Sequence, residues 1–148
     1  MPKRCLVLDA NILIRAVLGT RVIHLLADNA ERVAFVAPNI AVEDARRHLS
    51  YLIGKHGLDT KTAMATLDEA LCLIITIPQA ELEPWRDEAI SRIGSVDRDD
   101  WPILAAALEI DCPIWTEDRD FFGTGVATWT TDRVELFFTN TPALDERR

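Results

Sequence analysis

Cysteine is scarce in this 148-residue chain: Cys5, Cys72 and Cys112 stand far apart and none belongs to a Cys-x-x-Cys pair. An odd, scattered set excludes a disulfide framework and a structural zinc site as organising devices. Three buried free thiols are the expected state. Histidine is equally sparse, and His24, His48 and His56 form no closely spaced ligand pair. Long apolar runs are missing as well. Met1-Pro2-Lys3-Arg4 leads into only four apolar residues, 5–8, too few for a signal-peptide core, and no run approaches the roughly 20 residues of a membrane span. A soluble, cytoplasmic protein with no membrane partner is therefore expected. Basic charge is in deficit: 24 acids against 16 Lys and Arg give a formal charge of -8, which argues against a broad basic face for wrapping nucleic acid.

Three signatures of α/β chemistry are also absent. There is no Gly-x-Gly-x-x-Gly after the first apolar run, no P-loop and no Gly-x-Ser-x-Gly elbow, so dinucleotide, nucleotide and serine-hydrolase sites lack support. A haloacid-dehalogenase-type phosphatase wants a second acid two residues after the first, and that place holds Asn11. A phosphorelay receiver lacks a Lys after a late strand.

What remains is ordinary globular material, 49% apolar and 27% charged, of single-domain length. The domain is expected over residues 1–139, with a frayed tail at 140–148. Short apolar runs at 5–8, 33–37, 73–77, 113–115 and 127–129 read as strands, separated by helical patterns. A helix over 40–53 carries a stripe at Val42, Ala45, Leu49, Leu52 and Ile53, and Gly54 and Gly57 close it. Asp59 or Thr60 caps the next helix, to about residue 71. A charged helix spans 80–93. Trp101-Pro102 opens a helix apolar nearly all round, and a terminal helix is capped at Asp132 with Glu135 three residues on. Strands alternating with helices predict an α/β fold: three layers, with a short, mostly parallel sheet flanked by helices.

Ligands of such sheets bind beyond the carboxyl ends of the strands. Asp9 ends the first strand and Asp118 follows the fourth, so both carboxylates fall at one sheet edge. Glu43 lies early in a helix, flanking its core stripe, where Arg46 and Arg47 are its natural surface partners. Asp97, Asp99 and Asp100 cannot all cap one helix, so at least one is available for another task. Carboxylates crowded at one edge repel unless a counter-charge sits among them. A hard divalent cation, Mg²⁺ or Mn²⁺, supplies it through oxygen ligands and activates water toward a phosphodiester.

Leu8-Asp9-Ala10-Asn11, Glu43, the run Asp99-Asp100-Trp101-Pro102-Ile103-Leu104-Ala105-Ala106-Ala107 and Trp115-Thr116-Glu117-Asp118-Arg119-Asp120-Phe121 together carry a resemblance. The chain resembles the PIN-domain ribonucleases, especially the small stand-alone members similar to VapC toxins, from about residue 4 to 138. The resemblance implies a metal-dependent ribonuclease whose catalytic, metal-holding acids fall on Asp9, Glu43, Asp100 and Asp118, with Asp97 or Asp99 as alternatives to Asp100. Asn11 and Thr116 take the place of residues that orient the first acid, and Asp120 that of an auxiliary acid. It further implies an RNA substrate, a homodimer and a small antitoxin protein whose helix or arm occupies the active-site groove. An inactive PIN-like scaffold that binds RNA or protein is the alternative. Arg46 and Arg47, with Arg15, Arg21 and Lys55, are the candidates for an RNA track; their plainer reading is solvated helix faces.

Overall fold

Strand β1, Arg4–Leu8, is the first of the short apolar runs, and its alternation sets the layers. Leu6 and Leu8 face one side of the sheet and Val7 the other, all fully buried. A strand apolar on both faces needs helices on both. The computed structural model describes residues 4–57, 59–94 and 98–139; Asp97 and the tail at 140–148 lie outside the described residues. Four more strands, β2 (Val33–Pro38), β3 (Ile74–Ile77), β4 (Ile114–Trp115) and β5 (Thr128–Trp129), complete one sheet in the order β3-β2-β1-β4-β5. All four pairings are parallel.

On the Leu6–Leu8 side lie α1 (Ala10–Leu18), α2 (Arg21–Asn29), α3 (Asn39–His56), α4 (Thr60–Leu71) and the terminal α8 (Val134–Thr139). Their Ile12, Leu26, Leu49, Leu67 and Phe137 share a core with Phe35 and Trp115. On the Val7 side, α5 (Gln79–Leu82), α6 (Arg86–Ile93) and α7 (Trp101–Ile110) contribute Leu82, Ile93 and Leu104 to a second core. The three layers are those expected. Helix α7 is buried continuously from Trp101 to Ala107, as an all-apolar helix must be. Among the described residues no single helix is long and apolar enough to cross a membrane.

Local expectations fail at identifiable points. The charged helix expected over 80–93 is split by a 3-10 turn at Glu83–Trp85, because Pro84 lacks the N–H that a continuous helix requires. Helix α3 runs through Gly54 and stops only at Gly57, whose φ of 67° suits a left-handed cap. Asp59, not Thr60, caps α4, accepting from the Thr62 N–H. The cap expected at Asp132 is not made: α8 starts at Val134, Asp132 accepts from the Thr130 hydroxyl, and Glu135 pairs with Arg21 at 3.2 Å.

The thiols also differ from expectation. Cys5 and Cys112 are joined, with Cα atoms 5.6 Å apart, and Cys72 is free and exposed. Spacing rules could not see this pair across a sequence separation of 107. The sheet explains it. Val7 registers with Ile114 in the parallel β1–β4 pair, and each cysteine lies two residues before its strand's member of that pair.

Candidate active site

The chain runs from β1 outward through β2 to β3, then returns to place β4 on the other side of β1. That reversal makes the carboxyl ends of β1 and β4 the topological switch point, where parallel sheets open a crevice. Asp9 follows Leu8 at the end of β1, and its N–H donates to the carbonyl of Trp115, the last residue of β4, at 3.2 Å. The backbone ladder thereby brings Thr116 beside Asp9.

Asp9 is 7% exposed. Its Oδ1 accepts from the Ala10 N–H at 2.7 Å, so it also opens α1. Its Oδ2 accepts from the Thr116 hydroxyl at 2.7 Å and from Asn11 Nδ2 at 3.2 Å. The Thr116 oxygen in turn accepts from the Asp118 N–H at 2.9 Å, and Asp118 Oδ1 accepts from the Asp120 N–H at 2.9 Å. A chain of hydrogen bonds thus runs from β1 into the loop after β4, with Thr116, 1% exposed, as its hinge.

Burial pushes the Asp9 carboxyl above its ordinary value of 3.8, and the negative charges of Asp118 and Asp44 push it the same way. The hydrogen bonds from Thr116 and Ala10 oppose the rise without cancelling it. An acid held buried among like charges is not there for its own stability.

Asp100, Asp118 and Asp120 each offer a carboxylate oxygen, and these atoms lie within 4.8 Å of one another. Asp100 occupies the N-cap position of α7 but makes no capping hydrogen bond through its side chain. Of the two described acids there, Asp100 is the one that gathers with Asp118, while Asp99 is exposed. Asp120, expected as an auxiliary, stands in the cluster itself. Glu43 is exposed on α3 and is not one of the acids that gather in this cluster among the described residues. Its neighbour Asp44 is half-buried, and it is Asp44 whose charge reaches Asp9.

Sequence reasoning gave Asp44 no role; its charge is the smallest of the influences on Asp9, and its carboxylate pairs with Arg47. Nor did sequence reasoning give Glu117 a role. Glu117 turns away from the acids and accepts from both the N–H and the hydroxyl of Thr131, each at 2.7 Å, and that hydroxyl accepts from Trp115 Nε1 at 3.1 Å. The pair of residues 117 and 118 therefore divides its work between bracing the loop and facing the crevice.

The remaining candidates lie on the surface. Arg46 pairs with Asp68 at 2.8 Å and Arg47 pairs with Asp44. Arg21 pairs with Glu135, while Arg15 and Lys55 are exposed.

The donor set suits a hard divalent cation: carboxylate oxygens only, with no sulfur or imidazole among Asp9, Asp100, Asp118 and Asp120. Asn11 adds a buried carbonyl oxygen, Oδ1, with no hydrogen-bond partner among the described residues.

A family model described as the PIN domain matches residues 7–139. Comparison with curated proteins gives no match. Among solved structures, PAE2754 from Pyrobaculum aerophilum is similar with a TM-score of 0.68 at 15% identity, over 93% of this chain and 90% of that one. VapBC2 from Rickettsia felis, solved with a DNA fragment from its promoter, gives 0.67 at 15% identity, over 85% and 98%. FitAcB from Neisseria gonorrhoeae gives 0.56 at 22% identity, over 85% and 97%. At these identities the likeness is one of fold.

Proposed function

Because this chain belongs to the PIN-domain family, we propose that it is a divalent-metal-dependent ribonuclease, the toxin of a toxin–antitoxin pair. The observation that carries the reading is the gathering of Asp100, Asp118 and Asp120 within 4.8 Å, with Asp9 bonded to the same loop through Thr116. Asp9, Asp100 and Asp118 would hold Mg²⁺ or Mn²⁺, with Asp120 beside them. Helix α3 completes the set with Glu43, as the resemblance implies, and with Asp44, whose charge acts on Asp9. When bound, such an ion acidifies a water and neutralises charge on a phosphodiester.

The chain's own residues do the positioning. Thr116 fixes the direction in which Asp9 presents its carboxylate, and Asn11 holds the same oxygen from the other side. Asp118 is aimed by the hydrogen bond from its own N–H to Thr116 and by the turn it closes with Asp120. A homodimer, a cytoplasmic location and an antitoxin partner belong to the proposal through the family resemblance; VapBC2 and FitAcB share this fold.

The test is cleavage of single-stranded RNA by the purified protein in Mg²⁺ or Mn²⁺ and in EDTA. Cleavage that appears with either ion and vanishes in EDTA is expected. Full activity in EDTA contradicts the proposal, and so does no cleavage with either ion, which favours a scaffold that binds RNA or protein without cutting.

A further inference from the structure

The loop that carries Asp118 and Asp120 sets two adjacent phenylalanines in opposite directions. Phe121 is 0% exposed and belongs to the core under α7, whereas Phe122 is 59% exposed. This exposure is not slack. Asp118 caps the 3-10 turn Arg119–Phe121, and the Phe122 N–H closes it on the Arg119 carbonyl at 2.9 Å. The Thr124 hydroxyl donates to the Phe121 carbonyl at 2.7 Å, and Gly123, with φ of 82°, turns the chain back. The backbone that carries this exposed ring is thereby held in a closed turn directly after Asp118 and Asp120. A rigid backbone presents the ring at little entropic cost to a ligand.

Arg119, in the same turn, points outward between two acids that point to the crevice. Among the described residues it forms no ion pair, unlike Arg46 and Arg47, which are engaged by Asp68 and Asp44. An acidic site repels an incoming phosphodiester, so an unengaged cation at its rim has a specific use. An exposed aromatic ring and an exposed guanidinium at the two ends of one turn offer the two-part contact by which proteins hold single-stranded nucleic acid, in which a ring stacks on a splayed base and a cation meets the backbone.

We infer that Phe122 is the stacking platform for one unpaired base of the substrate and that Arg119 holds the adjoining phosphate. This rests on the ribonuclease reading. Truncating Phe122 opens no core, so its variants are expected to fold and melt as the parent does.

The probe is a short fluorescein-labelled oligoribonucleotide, with a second carrying abasic sites, followed by anisotropy in EDTA and by cleavage in Mn²⁺. Phe122→Ala is expected to weaken binding about tenfold, the scale of one lost base stack, and to raise KM while sparing kcat. Phe122→Trp should restore affinity and Phe122→Leu should not. The abasic probe should bind parent and Phe122→Ala alike. Arg119→Ala should lower the slope of log affinity against log salt by about 0.7, one phosphate contact on a single strand.

Equal affinity of Phe122→Ala and parent overturns the inference, as does full rescue by Leu, which would mark Phe122 as a mere apolar cover for a protein segment. Binding arms with the expected pattern and no Mn²⁺-dependent cleavage by the parent would uphold the stacking site while removing the nuclease reading.

Discussion

Asp9→Asn is expected to reduce RNA cleavage by about a thousandfold or more, since charge stabilisation by a bound ion contributes several kcal/mol and each 1.36 kcal/mol is tenfold in rate. The same change is expected to raise the melting temperature of the metal-free protein. Both follow from one fact: Asp9 is a buried carboxylate beside the charges of Asp118 and Asp44, with its carboxyl pushed above the ordinary 3.8. The amide resembles the protonated acid, which the metal-free fold prefers, and it keeps one acceptor oxygen among the donors Ala10, Asn11 and Thr116. Between the unfolded value and the raised folded value the native state binds more protons, so metal-free stability falls as pH rises through that window. Asp9→Asn should remove this part of the fall. Equal cleavage by mutant and parent, or a lower metal-free melting temperature with unchanged fold, would contradict the assignment.

Thr116→Val is the second large effect, because valine matches the shape and removes the hinge. Two bonds go at once: the donor to Asp9 Oδ2 and the acceptor for the Asp118 N–H. The valine variant should cleave about 10–100-fold more slowly, the usual cost of losing an orienting partner behind a metal ligand. It should lose roughly 1–3 kcal/mol of stability, because the buried Asp9 carboxylate and the Asp118 N–H each lose a partner. Thr116→Ser keeps the hydroxyl and should retain most activity. Rate measurements and thermal melts on the three proteins decide the matter; a valine variant as fast as the parent would leave the hydrogen-bond chain without a role.

Legibility in the sequence followed physical range. The parallel sheet and its two faces were readable because the unbroken apolar run of β1 and the all-apolar character of α7 are local patterns that only a three-layer packing satisfies. Asp9 and Asp118 were placed at one edge by strand ends alone. The Cys5–Cys112 pair was not readable, since it depends on the register of β1 against β4. Nor was Asp44 distinguishable from Glu43, because both flank the buried stripe of α3 and only the packing of that helix on its neighbours tells them apart. Expected ends of helices failed where a single residue, Pro84, or a competing hydrogen bond, Thr130 to Asp132, overrode the pattern.

Thermal melting across a Mn²⁺ titration tests the central claim most directly, because it reads the site without needing to know the RNA. A cation that binds only the folded state stabilises it by about 2.7 kcal/mol at a hundred times its Kd. The parent is predicted to melt progressively higher as Mn²⁺ rises, and Asp118→Asn to show little or no rise. A parent melting temperature that stays flat to millimolar Mn²⁺ would contradict the assignment of Asp9, Asp100 and Asp118 as a metal-holding site.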